Sequence, residues 1–260
     1  MSTFLFDELI FGPVFSRRLG ISLGINLLPR NAKLCNFNCI YCECGLTGSN
    51  SNFNSNKLPE IVEFEFSLEN KLIELKNKNK PLNNITFAGN GEPTLHPDFD
   101  KIIDKTIDLR NKYFPEANIS VLTNSTNIGK ERVLNALLKI EQPILKLDSV
   151  FEKTYCILNS PPKDYSIEKL KSEIQKFNGN FIIQTLFIKG KINENIIDNS
   201  TDEEVAGWLK FIEEVKPKQV MIYTIARETP VENLEKINVD KLTDIALKVK
   251  ELGIDTLVSA

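Results

Sequence analysis

The chain has 260 residues, of which 42% are hydrophobic and 26% are charged, a composition typical of a globular protein with a substantial core. Its net charge of −3 excludes an overall basic field of the kind that binds nucleic acid, and leaves room only for a local basic patch. The N-terminus lacks the pattern of a signal peptide and no run of 18 apolar residues occurs, so we expect a cytoplasmic protein without a membrane span.

Strand-like and helix-like hydrophobic patterns alternate along the chain, which predicts six β–α units in a parallel sheet covered by helices. Six units are fewer than the eight of a closed barrel, so an α/β fold with an open partial barrel or a doubly wound sheet is expected. The predicted strands cover residues 21–28, 84–89, 118–124, 143–149, 180–188 and 219–225. The predicted helices cover residues 67–80, 98–113, 130–140, 166–177, 201–215 and 239–253.

Polar residues or glycines stand at the C-terminal end of every predicted strand. In parallel α/β folds this edge of the sheet binds ligands. A single residue of this kind is more often a cap or a turn, but six sets in succession indicate a binding edge. They are the cysteine loop, Gly89–Pro93, Asn124 with Ser125, Asp148 with Ser149, Gln184 with Thr185, and Tyr223 with Arg227.

Four of the five cysteines lie within ten residues, at 35–44. Without a secretory signal, clustered cysteines indicate metal ligands or catalytic groups rather than disulfides. A zinc site usually has two short knuckles, but no second knuckle follows, and the single histidine, His96, is far away in the sequence. A structural zinc module therefore ranks third among the interpretations.

Cys35, Cys39 and Cys42 have the spacing C-x3-C-x2-C. Three thiolates on a [4Fe–4S] cluster would leave one iron open to a substrate, and this is the interpretation that we favour. Cys44 could complete four thiolates, as in a closed electron-transfer cluster, which would make the chain an electron-transfer or regulatory iron–sulfur protein. We expect Cys44 instead to be a spectator thiol.

The motif C-N-F-N-C-I-Y-C (35–42) resembles the cluster loop of radical S-adenosylmethionine (SAM) enzymes. G-N-G-E-P (89–93) resembles their glycine-rich motif, with Asn90 in place of a small residue. The resemblance spans residues 10–255 and continues in VLTNST (121–126), LKLDS (145–149) and YTIARETP (223–230). The N-terminal FGPVFSRRLGISLGINLLP (11–29) is similar to the branch related to wyosine tRNA-base enzymes and their bacterial relatives.

The resemblance implies a partial (β/α)6 TIM-like barrel with a [4Fe–4S] cluster at the C-terminal edge of the strands, held by the three cysteines of the motif. SAM on the open iron would be cleaved to methionine and a 5′-deoxyadenosyl radical, which abstracts hydrogen from an unassigned substrate. An external one-electron reductant, flavodoxin-like or ferredoxin-like, is implied as a partner. The residues expected to bind SAM are Tyr41, Gly89, Asn90, Gly91, Glu92, Asn124, Ser125, Asp148, Gln184 and Arg227.

These residues suit different parts of SAM. Gly89 and Gly91 would let the backbone approach the ligand closely, and Asn90 or Glu92 would accept a hydrogen bond from its ammonium group. Asn124, Ser125 and Asp148 would bind ribose hydroxyls or the methionine carboxylate. Tyr41 stands where the family has an aromatic contact to adenine.

The substrate is expected to be a small molecule or a peptide rather than tRNA, because the chain is acidic and has no RNA-binding appendage. Wyosine-type tRNA-base modification is the alternative within the family. Arg17 and Arg18 either pair with acidic neighbours or, as the branch resemblance implies, contact a substrate or phosphate.

We expect one domain over residues 1–260, with a short N-terminal extension (1–18) and a flexible loop (48–57). The loop holds one large apolar residue, Phe53, among Ser, Asn and Gly, so it cannot bury enough surface to order itself. It either closes over a bound substrate or is a passive surface insertion.

Overall fold

The computed structural model describes residues 4–47, 58–192 and 194–259. The expected flexible loop at 48–57 lies outside these residues. The strands are β1 (Ile10–Ser16), β2 (Gly20–Ile25), β3 (Asn84–Phe87), β4 (Asn118–Thr123), β5 (Gln142–Lys146), β6 (Ile182–Leu186), β7 (Ile188–Ile192), β8 (Asn195–Asp198), β9 (Gln219–Tyr223), β10 (Leu234–Lys236) and β11 (Asp255–Ser259). The helices are α1 (Ile61–Asn77), α2 (Phe99–Tyr113), α3 (Glu131–Leu138), α4 (Glu152–Asn159), α5 (Ile167–Ile174), α6 (Asp202–Val215) and α7 (Val239–Glu251).

The main sheet has the strand order β1-β2-β3-β4-β5-β6-β9-β11 and curls into an open half-barrel. β1 pairs with β2 in antiparallel fashion, and every other pair in this sheet is parallel. A small antiparallel sheet of order β10-β7-β8 stands beside it. The predicted α/β partial barrel is therefore confirmed, with its parallel strands ending at one edge.

Alternation along each parallel strand separates two apolar faces. Leu145, Ile183 and Val220 belong to the large core between the sheet and the helices. Their neighbours in sequence (Ile144, Ile182 and Met221) form a separate cluster on the inner face of the half-barrel, against which Leu19, Leu122 and Leu257 pack. Leu19 lies between β1 and β2, so this turn folds under the inner face.

All six predicted strands and six predicted helices occur, with shifted ends. The first helix begins at Ile61 rather than at residue 67, because Phe64 continues the buried stripe of Leu68 and Leu72 by one turn. The predicted strand at 180–188 is two strands, since β6 ends at Leu186 and β7 begins at Ile188. The sequence prediction was wrong in omitting β1, α4, β8, β10 and β11.

His96 lies before α2 and is buried. Its Nδ1 accepts a hydrogen bond from the backbone N–H of Asp98, 3.2 Å away, and its Nε2 lies 3.0 Å from the carbonyl oxygen of Pro59. A ring that accepts at one nitrogen and donates at the other is neutral, and burial lowers the pKa of His96. His96 therefore joins the start of α2 to the segment that precedes α1.

None of the helices in the described ranges has the length and hydropathy that crossing a bilayer requires.

Replacing Phe87 tests the core that supports the cysteine loop. Its ring is fully buried on β3 between Phe64 of α1 and Phe99 of α2, with centroids 6.4 and 6.3 Å away. Phe87→Ala should lower the free energy of unfolding by about 3–5 kcal/mol. The matched control is Phe66→Ala on α1, because Phe66 is 69% exposed and its loss should cost about 0.5 kcal/mol or less. Urea unfolding of both variants measures the difference, and equal losses would contradict this description of the core.

Candidate functional site

The cysteine loop is joined to the sheet through its first residues. Leu34 forms a parallel bridge with Gly91 beyond the end of β3. The N–H of Leu34 donates to the carbonyl of Asn90 over 2.8 Å, and the N–H of Glu92 donates to the carbonyl of Leu34 over 3.0 Å. The loop thus continues the sheet by one residue, and the thiols that follow start from a fixed position.

The two glycines of the G-N-G-E-P turn allow close approaches. Gly91 has a φ of +139°, and a Cβ there would lie 1.8 Å from the carbonyl oxygen of Leu34. A Cβ on Gly89 would lie 2.4 Å from Oδ1 of Asn26. The sequence predicted close approach of this turn to a ligand. Both glycines do line the site cavity, but the tight contact that requires Gly91 is with the cysteine loop itself.

Asn90, between these glycines, is fully buried. Its Nδ2 donates to the carbonyl oxygens of Phe6 and Pro29, each over 2.8 Å, and its Oδ1 accepts from the N–H of Phe6 over 2.8 Å. The amide is thus committed to the backbone behind the turn and does not line the cavity. Of the two acceptors expected for an ammonium group, the structure places only Glu92 at the cavity.

Cys35, Cys39 and Cys42 line one cavity of about 340 Å³ at the C-terminal edge of the strands. Nδ2 of Asn124 lies 3.7 Å from Sγ of Cys35, and Nδ2 of Asn159 lies 3.4 Å from Sγ of Cys39. The thiols are free. The structure therefore brings together the three cysteines that the spacing selected.

Burial raises the pKa of Cys35 to about 12 and also raises the pKa of Cys39. A bare thiolate is disfavoured in such surroundings, and a bound metal centre supplies the positive charge that stabilises it. Within the described ranges, no three His, Cys, Asp or Glu side chains are arranged around a point that could hold a single metal ion. Thiols that each bind a different iron do not need to meet at one point, so the three buried cysteines fit an iron–sulfur cluster.

Cys44 does not line the cavity. Its Sγ lies 3.4 Å from the carbonyl oxygen of Gly89. A hydrogen bond between Cys44 and Cys42 lowers the pKa of Cys42 and raises that of Cys44. Nearby Lys33 is buried, with Nζ 2.8 Å from the carbonyl oxygen of Gly45, and its charge also lowers the pKa of Cys42.

Glu92 presents a rigidly held carboxylate to the cavity. Its Oε1 accepts from the hydroxyls of Thr94 and Thr123 at 2.6 and 2.7 Å, and its Oε2 accepts from the N–H of Asn124 at 2.6 Å. Burial raises the pKa of Glu92, although these hydrogen bonds oppose the shift. The carboxylate joins the end of β3 to the end of β4.

Asn124 and Ser125 follow β4 but face different spaces. Asn124 lines the site cavity, and its Nδ2 also donates to Oδ1 of Asn36 over 2.7 Å. Ser125 has a left-handed backbone with φ of +70° and lines a separate cavity between the segment that precedes α3 and the start of α5. Its hydroxyl is buried and has no hydrogen-bond partner among the described residues. Only Asn124 of this pair reaches the thiols.

Asp148 is buried behind the site rather than in it. It accepts a hydrogen bond from the hydroxyl of Tyr41, and others from Nδ2 of Asn159 at 2.7 Å and the N–H of Leu186 at 2.9 Å. Nζ of Lys146 lies 3.4 Å from both of its oxygens. Tyr41 and Lys146 line the cavity, whereas Asp148 does not. Asp148 therefore fixes cavity residues without facing the cavity.

Lys146 is not among the residues predicted from the sequence to bind SAM, because lysine in a strand is usually solvated. Its side chain lies at the cavity, with Nζ 3.2 Å from the hydroxyl of Tyr223 and 5.0 Å from the centroid of the Tyr41 ring. Burial opposes the charge of Lys146, but Asp148, Tyr223 and Cys39 outweigh it and raise its pKa. The one available signal was a charged residue inside the apolar run PILKL.

Gln184, Tyr223 and Arg227 also line the cavity. Nη1 of Arg227 lies 2.5 Å from Oε2 of Glu43, so this arginine links the segment after β9 to the cysteine loop. Arg18 lines the cavity as well, with its Cζ 4.8 Å from the centroid of the Tyr223 ring. Five strands and the β1–β2 turn thus contribute side chains to one cavity.

Substituting Gly91 should displace the cysteine loop. We expect Gly91→Ala to lose cluster loading, because the added Cβ collides with the Leu34 carbonyl and that backbone cannot move without shifting Cys35. Iron content after anaerobic reconstitution measures the effect. The matched control is Gly253→Ala, which also has a positive φ, +77°, but meets nothing within 4 Å. The control should lose stability and keep iron. A Gly91→Ala protein with normal iron content would show that the bridge does not position the loop.

The chain is similar to proteins of known family. A family model described as the radical SAM superfamily matches residues 32–212. A UPF0026 protein of Methanocaldococcus jannaschii is 32% identical over 250 residues, which cover 93% of this chain and 71% of that protein. GTPase Obg of Brachyspira hyodysenteriae is 29% identical over 237 residues, covering 90% of this chain and 32% of that protein. The chain thus spans about a third of the length of that relative.

Two solved structures share the fold. A radical SAM methyltransferase from Sphaerobacter thermophilus aligns with a TM-score of 0.66 at 13% identity, covering 92% of this chain and 65% of that one. Streptococcus suis SuiB bound to S-adenosylmethionine aligns with a TM-score of 0.60 at 15% identity, covering 92% of this chain and 47% of that one. Because the family match covers most of the chain, including the cysteine motif and the glycine-rich turn, this protein belongs to the radical SAM superfamily and is an enzyme of that class.

Proposed function

We propose that this enzyme holds a [4Fe–4S] cluster on Cys35, Cys39 and Cys42 and cleaves SAM reductively to act on a small molecule or peptide. The observation that carries the proposal is that these three thiols face one cavity at the C-terminal edge of a half-barrel. The family implies an iron–sulfur cluster and SAM, and the buried thiols fit such a group. Three protein ligands leave one iron open for SAM.

When bound on Cys35, Cys39 and Cys42, the cluster would supply the one-electron chemistry for reductive cleavage of SAM and for hydrogen abstraction from the substrate. The residues of the chain bind, orient and exclude water, as protein groups do around a cofactor. The positive charge of Lys33 favours the thiolate forms of Cys35 and Cys42, because it lowers their pKa. Cys44 stays outside the ligand set in this proposal, because it does not line the cavity.

Residues that line the cavity would contact SAM directly. Glu92 would accept a hydrogen bond from its ammonium group, since Oε2 accepts from Asn124 and retains capacity for a second donor. Tyr41 would contact adenine, and its ring is fixed by the hydrogen bond of its hydroxyl to Asp148. Asn124, Gln184 and Arg227 would bind the ribose or the methionine part, along with the backbone of Gly89 and Gly91.

The remaining residues of the predicted set would act through others. Asn90 would hold the glycine-rich turn against the N-terminal segment. Asp148 would hold Tyr41 and Asn159. Ser125 would shape the turn after β4 through its left-handed backbone. Removing any of them should weaken SAM binding by displacing a neighbour.

The acidic chain weighs against tRNA as the substrate, so a small molecule or a peptide is the proposed substrate class. A reductant of flavodoxin or ferredoxin type would deliver electrons from outside in the cytoplasm. The branch related to wyosine enzymes stays a prediction from the N-terminal motif, and tRNA-base modification is its corresponding alternative.

Cysteine variants test the ligand set. Anaerobic reconstitution should load about four irons per chain. Cys35→Ala, Cys39→Ala and Cys42→Ala should abolish cluster loading, because each removes the thiolate of one iron. Cys44→Ala is the matched control within the same loop and should keep the cluster. Iron content, visible absorption and 5′-deoxyadenosine formed after chemical reduction are the measurements.

Two outcomes would reject the proposal in different ways. Loss of iron from Cys44→Ala would show a closed cluster with four thiolates, as in an electron-transfer protein. Full cluster loading without any 5′-deoxyadenosine from the parent protein would keep the iron–sulfur site and exclude SAM cleavage.

A further inference from the structure

We propose that Arg18 binds an anionic group of the substrate, a carboxylate or a phosphate, inside the half-barrel, so that the substrate of this enzyme is an anion. The inference rests on the proposed function for its premise that the cavity beside the cysteines holds the substrate. It assigns the side chain that fixes one end of that substrate.

Arg18 reaches the cavity from beneath. It lies in the β1–β2 turn, where Oγ of Ser16 accepts from the N–H groups of Arg18 and Leu19 at 3.3 and 3.2 Å. Leu19 packs against the apolar cluster on the inner face of the sheet. Tyr223, on which the guanidinium lies, is the last residue of β9. The Arg18 side chain therefore extends along the inside of the half-barrel toward the C-terminal edge.

The guanidinium of Arg18 has an unused donor. Its Nη1 is buried and has no hydrogen-bond partner within the described part of the chain. Buried polar atoms are nearly always paired, and an unpaired one is most costly when it belongs to a charged group. A guanidinium presents its N–H groups in a planar fork that matches carboxylate and phosphate oxygens. An anion at this position would satisfy the donor.

The cavity also has an excess of positive charge. The charged residues that line it are Arg17, Arg18, Lys33, Lys146 and Arg227 against Glu43 and Glu92. Glu43 pairs with Arg227, and the oxygens of Glu92 accept hydrogen bonds from other residues. With Arg17 left aside and buried Asp148 counted as the partner of Lys146, four cations stand against three carboxylates.

Two cations, Arg18 and Lys146, lie near the ring of Tyr223. Its ring carries Arg18 with Cζ at 4.8 Å from the centroid, and Nζ of Lys146 lies 5.7 Å from the same centroid and 3.2 Å from the hydroxyl. Two positive charges held on one ring create a local field that favours an anion, while the low polarity around them strengthens the attraction.

Two ligands could supply the anionic group, namely the substrate and the methionine carboxylate of SAM. The position of Arg18 favours the substrate, because its guanidinium lies on Tyr223 of β9. The strands β3, β4, β5 and β6 stand in the sheet between β9 and β2, which the cysteine loop follows. The experiment separates the two sources by titrating SAM and the small anions in separate measurements.

The test compares Arg18→Gln, Arg18→Lys and the control Arg30→Gln in reconstituted protein. Arg30 is an exposed arginine paired with Glu63 at 2.9 Å, away from the cavity. The probes are inorganic phosphate, followed by line broadening of its phosphorus NMR signal, and carbon-13 acetate, followed in the same way. SAM affinity is measured separately by calorimetry, and circular dichroism checks the fold of every variant.

Arg18→Gln should weaken binding of at least one probe anion by about tenfold or more, which corresponds to the loss of a charged hydrogen bond. Arg18→Lys should lose less anion affinity, since lysine keeps the positive charge but lacks the planar fork of N–H donors. Arg30→Gln should have the same anion affinity as the parent protein. The affinity of Arg18→Gln for SAM should change by less than about threefold, which is smaller than the expected loss of anion affinity.

Three results would overturn the inference. They are the absence of anion binding by the parent, anion binding that Arg18→Gln leaves unchanged, and a fall in SAM affinity that exceeds the fall in anion affinity. The last would assign Arg18 to the carboxylate of SAM. Iron-free protein extends the test, because Arg18-dependent anion binding there supports this site even if the parent forms no 5′-deoxyadenosine and the proposed function fails.

Discussion

The backbone contact between Leu34 and Gly91 is the constraint on which the site depends. It joins the cysteine loop, which follows β2, to the turn that follows β3, and Glu92 then joins that turn to Asn124 after β4. Three successive strand ends are thus locked in order by backbone and carboxylate hydrogen bonds. Cys35 follows Leu34 directly, so the first thiol inherits its position from the sheet rather than from the mobility of a long loop.

The polar strand ends divide into those that face the cavity and those that hold them in place. Glu92 has both roles, since its carboxylate lines the cavity and accepts hydrogen bonds from four hydroxyl or amide donors. Asp148 only holds other residues in place, because all its hydrogen-bond donors come from the protein and its side chain is inaccessible to solvent. A buried carboxylate has to be satisfied in this way. Polarity at a strand end therefore marks the neighbourhood of a site, but it does not tell which atoms are free for a ligand.

The sequence predicted the parallel strands, most of the helices and the three clustered thiols, because hydrophobic periodicity and motif spacing are local properties. It missed β1, whose Pro13 and one-residue register shift between Phe11 and Val14 suit an edge strand and hide the alternation. It could not separate Asn90 and Asp148 from the cavity residues, because the direction of a side chain depends on partners far away in sequence, such as Phe6 for Asn90.

The inner face of the half-barrel is layered, and this layering determines where chemistry can take place. Ile144, Ile182 and Met221 form an apolar floor, and the next inward residue on each of these strands is polar, namely Lys146, Gln184 and Tyr223. A floor without hydrogen-bonding groups does not hold water, which protects a reactive intermediate formed above it. Charge must then reach the interior from the rim or from below. Lys146 supplies it from the rim with Asp148 as its support, whereas Arg18 supplies it from the turn below, and both charges lie near the ring of Tyr223.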